Sequence, residues 1–280
     1  MYQTRCLRLV LLILSYCCLS GCGLDTPQYT GEPDEKLDIV LVPSHHYGSD
    51  LGEDSRWISD TELVMDKLLT HPFFSLHRDR MNIFRLNNPV PNDFHTSRLV
   101  PDINQIRDHI AGVLQFMDYE QGDQIVFITH SENYRRDAGE RARPITRGDP
   151  NITQIESNSF YGFIHEFGHA FGRLGDEYDG AFTRPGVVPD KANIASDHTG
   201  NTCQDKWGDL IGVEFETPGT WVEHRPKLRT VGCFDALEEE SPGNRFKPSE
   251  EGCVMKNGDA FPFCPVCERE LERLLERYTL

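Results

Sequence analysis

The sequence predicts an α/β protein with a mixed, layered sheet, and three observations support this class. Short apolar runs typical of strands alternate with amphipathic helical segments through the first half of the chain. A further helical segment carries two histidines four residues apart. The last third is irregular and contains five cysteines, so we expect a disulfide-containing C-terminal part.

The composition is acidic and excludes one class of partner. Of 280 residues, 45 are acidic and 28 are basic, and the formal net charge is −17. A surface of this sign repels phosphate, which argues against nucleic acid as the main partner. The length allows one large domain or two small ones, and the sequence leaves the oligomeric state open.

The N-terminus predicts export and lipidation. Two arginines precede the apolar run Leu9–Leu14, a pattern typical of an export signal over residues 1–21. Leu19–Cys22 resembles the lipobox of bacterial lipoproteins, in which the cysteine is acylated, although an ordinary secretory signal is the alternative. We therefore expect Cys22 to anchor the protein to a membrane of the cell envelope, in the outer membrane or at the cell surface.

The remaining chain is expected to form a tether and one domain. Residues 22–36 lack an apolar period and predict a tether. Residues 37–280 are long enough for a well-buried core. Within them we expect an N-terminal subdomain over about 37–175 and a C-terminal subdomain over about 176–280.

The first predicted elements are a strand and a helix. Leu37–Val42 is an apolar run of strand type. A helix should begin at Ser59, because Ser59–Glu62 has the pattern of a capping box. It should end before Pro72, since the residue before a proline disfavours the helical conformation.

A second strand and helix, and a third strand, follow. Asn82–Leu86 predicts a strand, and Pro101 stands where a helix can begin. Apolar residues recur at helical spacing from Ile103 to Met117. Gln124–Thr129 is another short apolar run, and we expect Ile125–Thr129 to be a free sheet edge where an extended substrate can bind.

The candidate chemistry lies in a helical segment with an aromatic stripe on one face. His165 and His169 fall on another face, where each can offer a nitrogen to one tetrahedral zinc ion. Glu166 follows the first histidine and can take a proton from a zinc-activated water. The pattern His-Glu-x-x-His within a helix therefore predicts one catalytic Zn²⁺ ion.

At these residues the sequence resembles the IgA-peptidase-type zinc metallopeptidases, a zincin family with many exported members. The motifs that carry the resemblance are His165–Tyr178, Asn201-Thr202, Lys206-Trp207, Arg245–Ser249, Cys253–Met255 and Phe263–Cys267. The resemblance implies a zincin-like fold with an active-site helix. It also implies zinc at His165 and His169, Glu166 as general base, and an acidic third ligand at Asp176 or its neighbour.

The spacing favours Asp176 as the third ligand. In the related pattern His-Glu-x-x-His-x-x-Gly-x-x-His, the helix ends at the glycine and the ligand follows three residues later. Gly172 stands at the glycine of this pattern, so the third ligand would fall at position 175. That residue is also glycine and cannot bind a metal, and Asp176 is the nearest side chain that can. Glu177 is expected to support the site without binding the ion, and it remains the alternative ligand.

Two further residues have possible supporting roles. The resemblance implies that Met255 belongs to a turn that lies under the zinc site, and plain core packing is the alternative. Tyr178 can donate a hydrogen bond to an oxyanion, and a core tyrosine is the alternative.

The cysteines of the C-terminal part allow two interpretations. Export favours one or two disulfides among them. A Cys₄ zinc site formed by Cys233, Cys253, Cys264 and Cys267 is the alternative that we consider weaker, because the chain has only one Cys-x-x-Cys pair.

Two functions of different class follow. The first is a zinc-dependent endopeptidase that hydrolyses peptide bonds of extracytoplasmic proteins. The second is a surface lipoprotein that binds or adheres through a zincin fold with a structural zinc. An intact Glu166 favours the enzyme, since a purely structural site needs no base.

Overall fold

A six-stranded mixed sheet forms the centre of the part of the chain that the structure describes. The structure is a computed structural model, and it describes residues 23–49, 51–90, 106, 108–116, 123–129, 143–145, 151–156, 160, 162–177, 191–196, 201–218, 225–236 and 245–278. The strands of the sheet are β1 (Leu24–Gln28), β2 (Leu37–Pro43), β3 (Met81–Leu86), β4 (Gln124–Thr129), β5 (Arg143–Ile145) and β6 (Asn151–Glu156). They are ordered β1-β3-β2-β4-β6-β5.

The four inner strands are parallel and the two outer strands are antiparallel to their neighbours. Strands β3, β2, β4 and β6 pair in parallel, whereas β1 pairs antiparallel with β3, and β5 with β6. Every residue of β2 and β4 is buried. Parallel strands of this kind need cover on both faces, which explains their continuous apolar runs.

Helices and loops provide that cover in two apolar layers. The helices are α1 (Arg56–Thr70), α2 (Pro72–Leu76), α3 (Ala111–Phe116), α4 (Phe163–Ala170), α5 (Cys203–Trp207), α6 (Val254–Asn257) and α7 (Pro265–Leu275). The larger core cluster joins Ile39 and Leu41 of the sheet to residues of α1, α2, α4 and α7. The smaller cluster joins Val40 and Val42 to Ile110 on the opposite face. The molecule is therefore a layered, mixed α/β structure.

The C-terminal part adds two small antiparallel sheets and a disulfide. Its strands are β7 (Ala195–Ser196), β8 (Glu214–Thr217), β9 (Lys227–Thr230), β10 (Phe234–Asp235) and β11 (Arg245–Lys247). One sheet has the order β10-β11-β7, and the other pairs β8 with β9. The Cys203–Cys233 disulfide has a Cα–Cα distance of 6.0 Å. One disulfide of the expected kind is thus present.

Several elements match the sequence predictions closely. Strand β4 has the predicted bounds, and β2 and β3 differ from their predictions by one residue each. Helix α1 ends before Pro72 as expected. Helix α3 lies inside the segment expected to be helical from Pro101, whose first residues are outside the described ranges.

Three expectations differ from the structure. The N-cap of α1 is Ser55, whose side chain accepts a hydrogen bond from Ile58 N at 3.3 Å, so the helix begins before the Ser59–Glu62 motif. Part of the expected tether is strand β1, because its backbone pairs with β3. The prediction of a free edge at Ile125–Thr129 is wrong, because β4 pairs with β2 on one side and β6 on the other.

Within the described residues, no helix has both the length and the apolar character needed to cross a bilayer. The segment expected to be an export signal, Cys22 and Tyr178 lie outside the described residues.

Candidate metal centre

Helix α4 carries the histidines and is held by residues far away in sequence. Its N-cap is Gly162, at φ 95°, a conformation that glycine adopts without steric cost. Gly162 has no side chain to cap the helix, and Asp259 supplies the missing acceptor: its Oδ1 accepts a hydrogen bond from His165 N at 3.1 Å. Phe163 and Phe167 face the core and fix the rotation of the helix.

Three side chains, those of His165, His169 and Asp176, meet at the opposite side of α4. They are here called the triad, and the place where they meet is called the histidine site. His165 Nε2 and His169 Nε2 lie 3.1 Å apart. Asp176 Oδ1 lies 3.1 Å from the nitrogen of His165 and 2.9 Å from that of His169. Asp176 reaches this position because the chain turns back after α4, with Arg173 at φ 50° and Leu174 N donating to Gly168 O at 3.3 Å.

The hydrogen bonds of the two Nδ1 atoms determine what the Nε2 atoms of His165 and His169 can bind. His165 Nδ1 lies 3.0 Å from Val254 O, and His169 Nδ1 lies 2.8 Å from Leu174 O. A carbonyl oxygen only accepts, so each Nδ1 carries the proton and each neutral ring presents a lone pair at Nε2. Two lone pairs and the Asp176 carboxylate thus converge with no donor among them. Such a group requires a cation or an added proton.

The dimensions fit a metal ion. Edges of 2.9 and 3.1 Å form a nearly equilateral triangle. An ion about 2.0–2.1 Å from each corner is within the range of zinc bonded to histidine and carboxylate. The three side chains keep between 13% and 25% of their surface exposed, so the site is partly accessible to solvent. These residues can hold a metal ion.

The electrostatics agree with a site that attracts positive charge. Burial lowers the pKa of His165, but the hydrogen bonds to Asp176 and Val254 and the charges of Glu166 and Asp176 together outweigh it, so the net shift is upward. Burial raises the pKa of Asp176, but the hydrogen bonds to both histidines and the charges of their rings together outweigh it, so the net shift is downward.

Glu166 lies beside the triad on the same helix. Its Oε2 atom is buried and has no hydrogen-bond partner within the described residues. Burial raises the pKa of Glu166 to about 7; His169 and His165 lower it, and the charges of Asp176 and Asp259 raise it. A carboxyl with this pKa can accept and release a proton near neutral pH.

Helix α6 supports the triad through two consecutive carbonyl groups. Val254 O orients His165, and Met255 O accepts a hydrogen bond from Glu177 N at 2.9 Å. Met255 is fully buried, and its Sδ would lie 2.8 Å from a Cβ placed on Gly168. Met255 therefore packs directly against α4, which accounts for a glycine at position 168.

A second group of potential ligands lies next to the triad. Glu177 Oε1 is 3.5 Å from Cys253 Sγ, 3.9 Å from Cys264 Sγ and 3.2 Å from Cys267 Sγ. All four residues are buried, and these atoms can also hold a metal ion. Glu177 was expected to support the histidine site without binding its ion, and its carboxylate lies among the three thiols. Cys233 is bonded to Cys203 and cannot bind a metal ion, so the alternative Cys₄ site that included Cys233 is wrong.

Two further residues of the site are separated in sequence from the residues that they contact. Asp259 lies 94 residues from His165, and Asn193 lies 16 residues from Glu177. Asn193 exchanges hydrogen bonds with both backbone groups of Gly175, at 2.7 and 2.8 Å, and donates to Glu177 Oε1 at 2.9 Å. Neither residue belongs to a local pattern that sequence reasoning detects.

The structure thus brings together His165, His169 and Asp176, with Glu166 beside them. No protein-family model matches the chain, and no curated protein matches it.

Proposed function

We propose that the protein is a zinc-dependent endopeptidase with a zincin-like fold, of the IgA-peptidase type. The observation that carries the proposal is the convergence of the two imidazole lone pairs and the Asp176 carboxylate beside Glu166. In this proposal His165, His169 and Asp176 hold the ion. The open side of the triad receives the substrate.

Each residue then has a defined role in hydrolysis. Zinc, when bound, supplies a Lewis acid that polarises a carbonyl group and acidifies water. Glu166 takes a proton from the attacking water at a carboxylate oxygen. It then delivers that proton to the nitrogen of the leaving amine, so that one water is consumed for each bond broken. Val254 O and Leu174 O hold the two rings in the tautomer that presents Nε2.

Strand β5 is the sheet edge that we assign to the substrate. It is the outermost strand of the described sheet on the side of β6, and α4 packs against both strands. An extended peptide can add to such an edge through backbone hydrogen bonds. The substrates in this proposal are extracytoplasmic proteins, and the enzyme is held at the cell envelope by a lipid on Cys22.

The test separates metal binding from turnover. Glu166→Gln should keep the metal of the full-length protein and lose at least about 100-fold in cleavage of a peptide library, because it removes the base and leaves the ligands. The matched control is Glu62→Gln, at an exposed position of α1, which should change neither quantity. Full turnover in Glu166→Gln would contradict the proposal. A wild-type protein that binds zinc and cleaves nothing would instead support the binding module.

A further inference from the structure

Four buried side chains form a cluster that the proposed peptidase chemistry does not use. Glu177, Cys253, Cys264 and Cys267, here called the thiol cluster, come from three separate segments of the chain. The three cysteines form no disulfide in the structure, and all four residues are fully buried. We propose that the thiol cluster is a second metal site that binds a structural zinc ion.

The distances match the edges of one coordination tetrahedron. Zinc bonds of about 2.3 Å to sulfur and about 2.0–2.2 Å to oxygen give edges of about 3.8 Å between sulfurs and about 3.5 Å between sulfur and oxygen. Cys253 Sγ and Cys267 Sγ lie 3.9 Å apart. The three sulfurs lie 3.2 to 3.9 Å from Glu177 Oε1. A single ion can therefore contact all four atoms.

The chemistry of the four groups also favours a metal over a disulfide. One disulfide would use two of the three thiols and would leave the third beside a buried carboxylate. A carboxylate without a positive partner is costly to bury. A divalent ion that prefers thiolates binds all four groups at once. Four protein ligands leave no open position, which is typical of a structural site.

Surrounding donors complete the site. Cys264 N lies 3.4 Å from Cys253 Sγ, so a backbone amide donates to that sulfur. Ser249 Oγ donates to Glu177 Oε2 at 3.3 Å, and Lys247 Nζ donates to Glu177 O at 2.9 Å. Lys247 is buried, and its positive charge offsets part of the negative charge of three thiolates and a carboxylate.

The thiol cluster is connected to the histidine site through the backbone. Glu177 directly follows Asp176, and Cys253 directly precedes Val254, whose carbonyl orients His165. An ion bound by Glu177 and Cys253 therefore fixes both segments that position the histidine site. This inference goes beyond the proposed peptidase function and rests on different residues.

Metal analysis of the full-length protein tests the inference. The wild-type protein should contain two zinc ions per chain, and a His165→Ala/His169→Ala variant should keep one. The Cys264→Ser/Cys267→Ser variant should lose the ion of the thiol cluster. A histidine variant with no bound metal would overturn the inference, as would a Cys253–Cys267 disulfide found by mass spectrometry of the protein as purified.

Cobalt substitution gives a readout that does not require the cysteine variant to fold. The full-length protein loaded with Co²⁺ should show an intense thiolate-to-cobalt charge-transfer absorption, and the histidine variant should keep it. Absence of this absorption in both proteins at full cobalt occupancy would overturn the inference. Full turnover in Glu166→Gln with both metals retained would contradict the peptidase proposal alone, so the two failures are distinguishable.

Discussion

Asp176 and Glu177 are adjacent in sequence, but their carboxylates reach two different sites. Asp176 contacts the histidines at 2.9 and 3.1 Å, and Glu177 lies among the thiols. The backbone between them is fixed, since Asn193 binds Gly175 and Met255 O binds Glu177 N. If the chain shifted by one residue, the acid in the partly exposed histidine site would be exchanged for the acid in the buried thiol cluster.

This arrangement predicts different effects for the two acids. Asp176→Ala should weaken zinc binding at the histidine site at least about 100-fold, because it removes one of three ligands. Glu177→Ala should weaken that site far less and should affect the thiol cluster instead. Zinc titration of each variant against a competing chelator, with the cysteines intact, measures both sites, and the His165→Ala/His169→Ala variant identifies the affinity that belongs to the thiol cluster. The reverse order of losses would reassign the third ligand to Glu177.

At the scale of elements, the sheet contains a pair of buried acids beside its central strands. Asp38 on β2 is fully buried, and Asp123 precedes β4. Asp123 Oδ1 accepts from Asp38 N at 3.1 Å, and Asp38 Oδ1 accepts from Asn82 Nδ2 at 2.9 Å. Burial, and next the charge of Asp123, raise the pKa of Asp38 to about 9, and the hydrogen bond from Asn82 lowers it.

Replacing this acid should stabilise the protein. The pKa of Asp38 is raised on folding, so the folded state binds a proton that the unfolded state releases above about pH 4. The contribution of Asp38 to stability should therefore fall as pH rises from about 4 to about 9. Asp38→Asn keeps the acceptor for Asn82 and removes the charge.

At pH 8, Asp38→Asn should raise the free energy of unfolding by at least about 1 kcal/mol, because each unit of pKa shift is worth about 1.4 kcal/mol. Urea denaturation at several pH values measures this gain, which should shrink as the pH approaches 4. A gain that is independent of pH, or a loss at pH 8, would contradict the assignment.

At the scale of the whole molecule, the sheet begins almost at the expected anchor. Leu24 is the first residue of β1 and is buried, only two positions after Cys22. If Cys22 carries a lipid, the folded domain lies close to the membrane surface, because the expected tether is partly a strand. Substrates would then be proteins that reach the membrane surface.

Lipidation can be tested directly. Mass spectrometry of detergent-extracted protein should show an acylated N-terminus at Cys22 and no residues 1–21. Cys22→Ser should move the protein from the membrane fraction to the soluble fraction. An unmodified N-terminus at another residue would contradict lipidation and would leave the metal centre unaffected.

The sequence by itself determined the features that depend on local spacing. The strands β2, β3 and β4 follow from apolar runs, and the side-by-side placement of His165 and His169 follows from helical periodicity. Four residues are slightly more than one helical turn, so no long-range contact is needed to predict that pair.

Only the tertiary structure decided which distant segments meet. Strand order placed β4 inside the sheet, since a buried apolar run has the same pattern whether one or two neighbours pair with it. The capping of α4 by Asp259 and the grouping of Glu177 with three cysteines join positions 94 and 76 to 90 residues apart. Such contacts depend on the packing of whole elements, and local periodicity does not predict them.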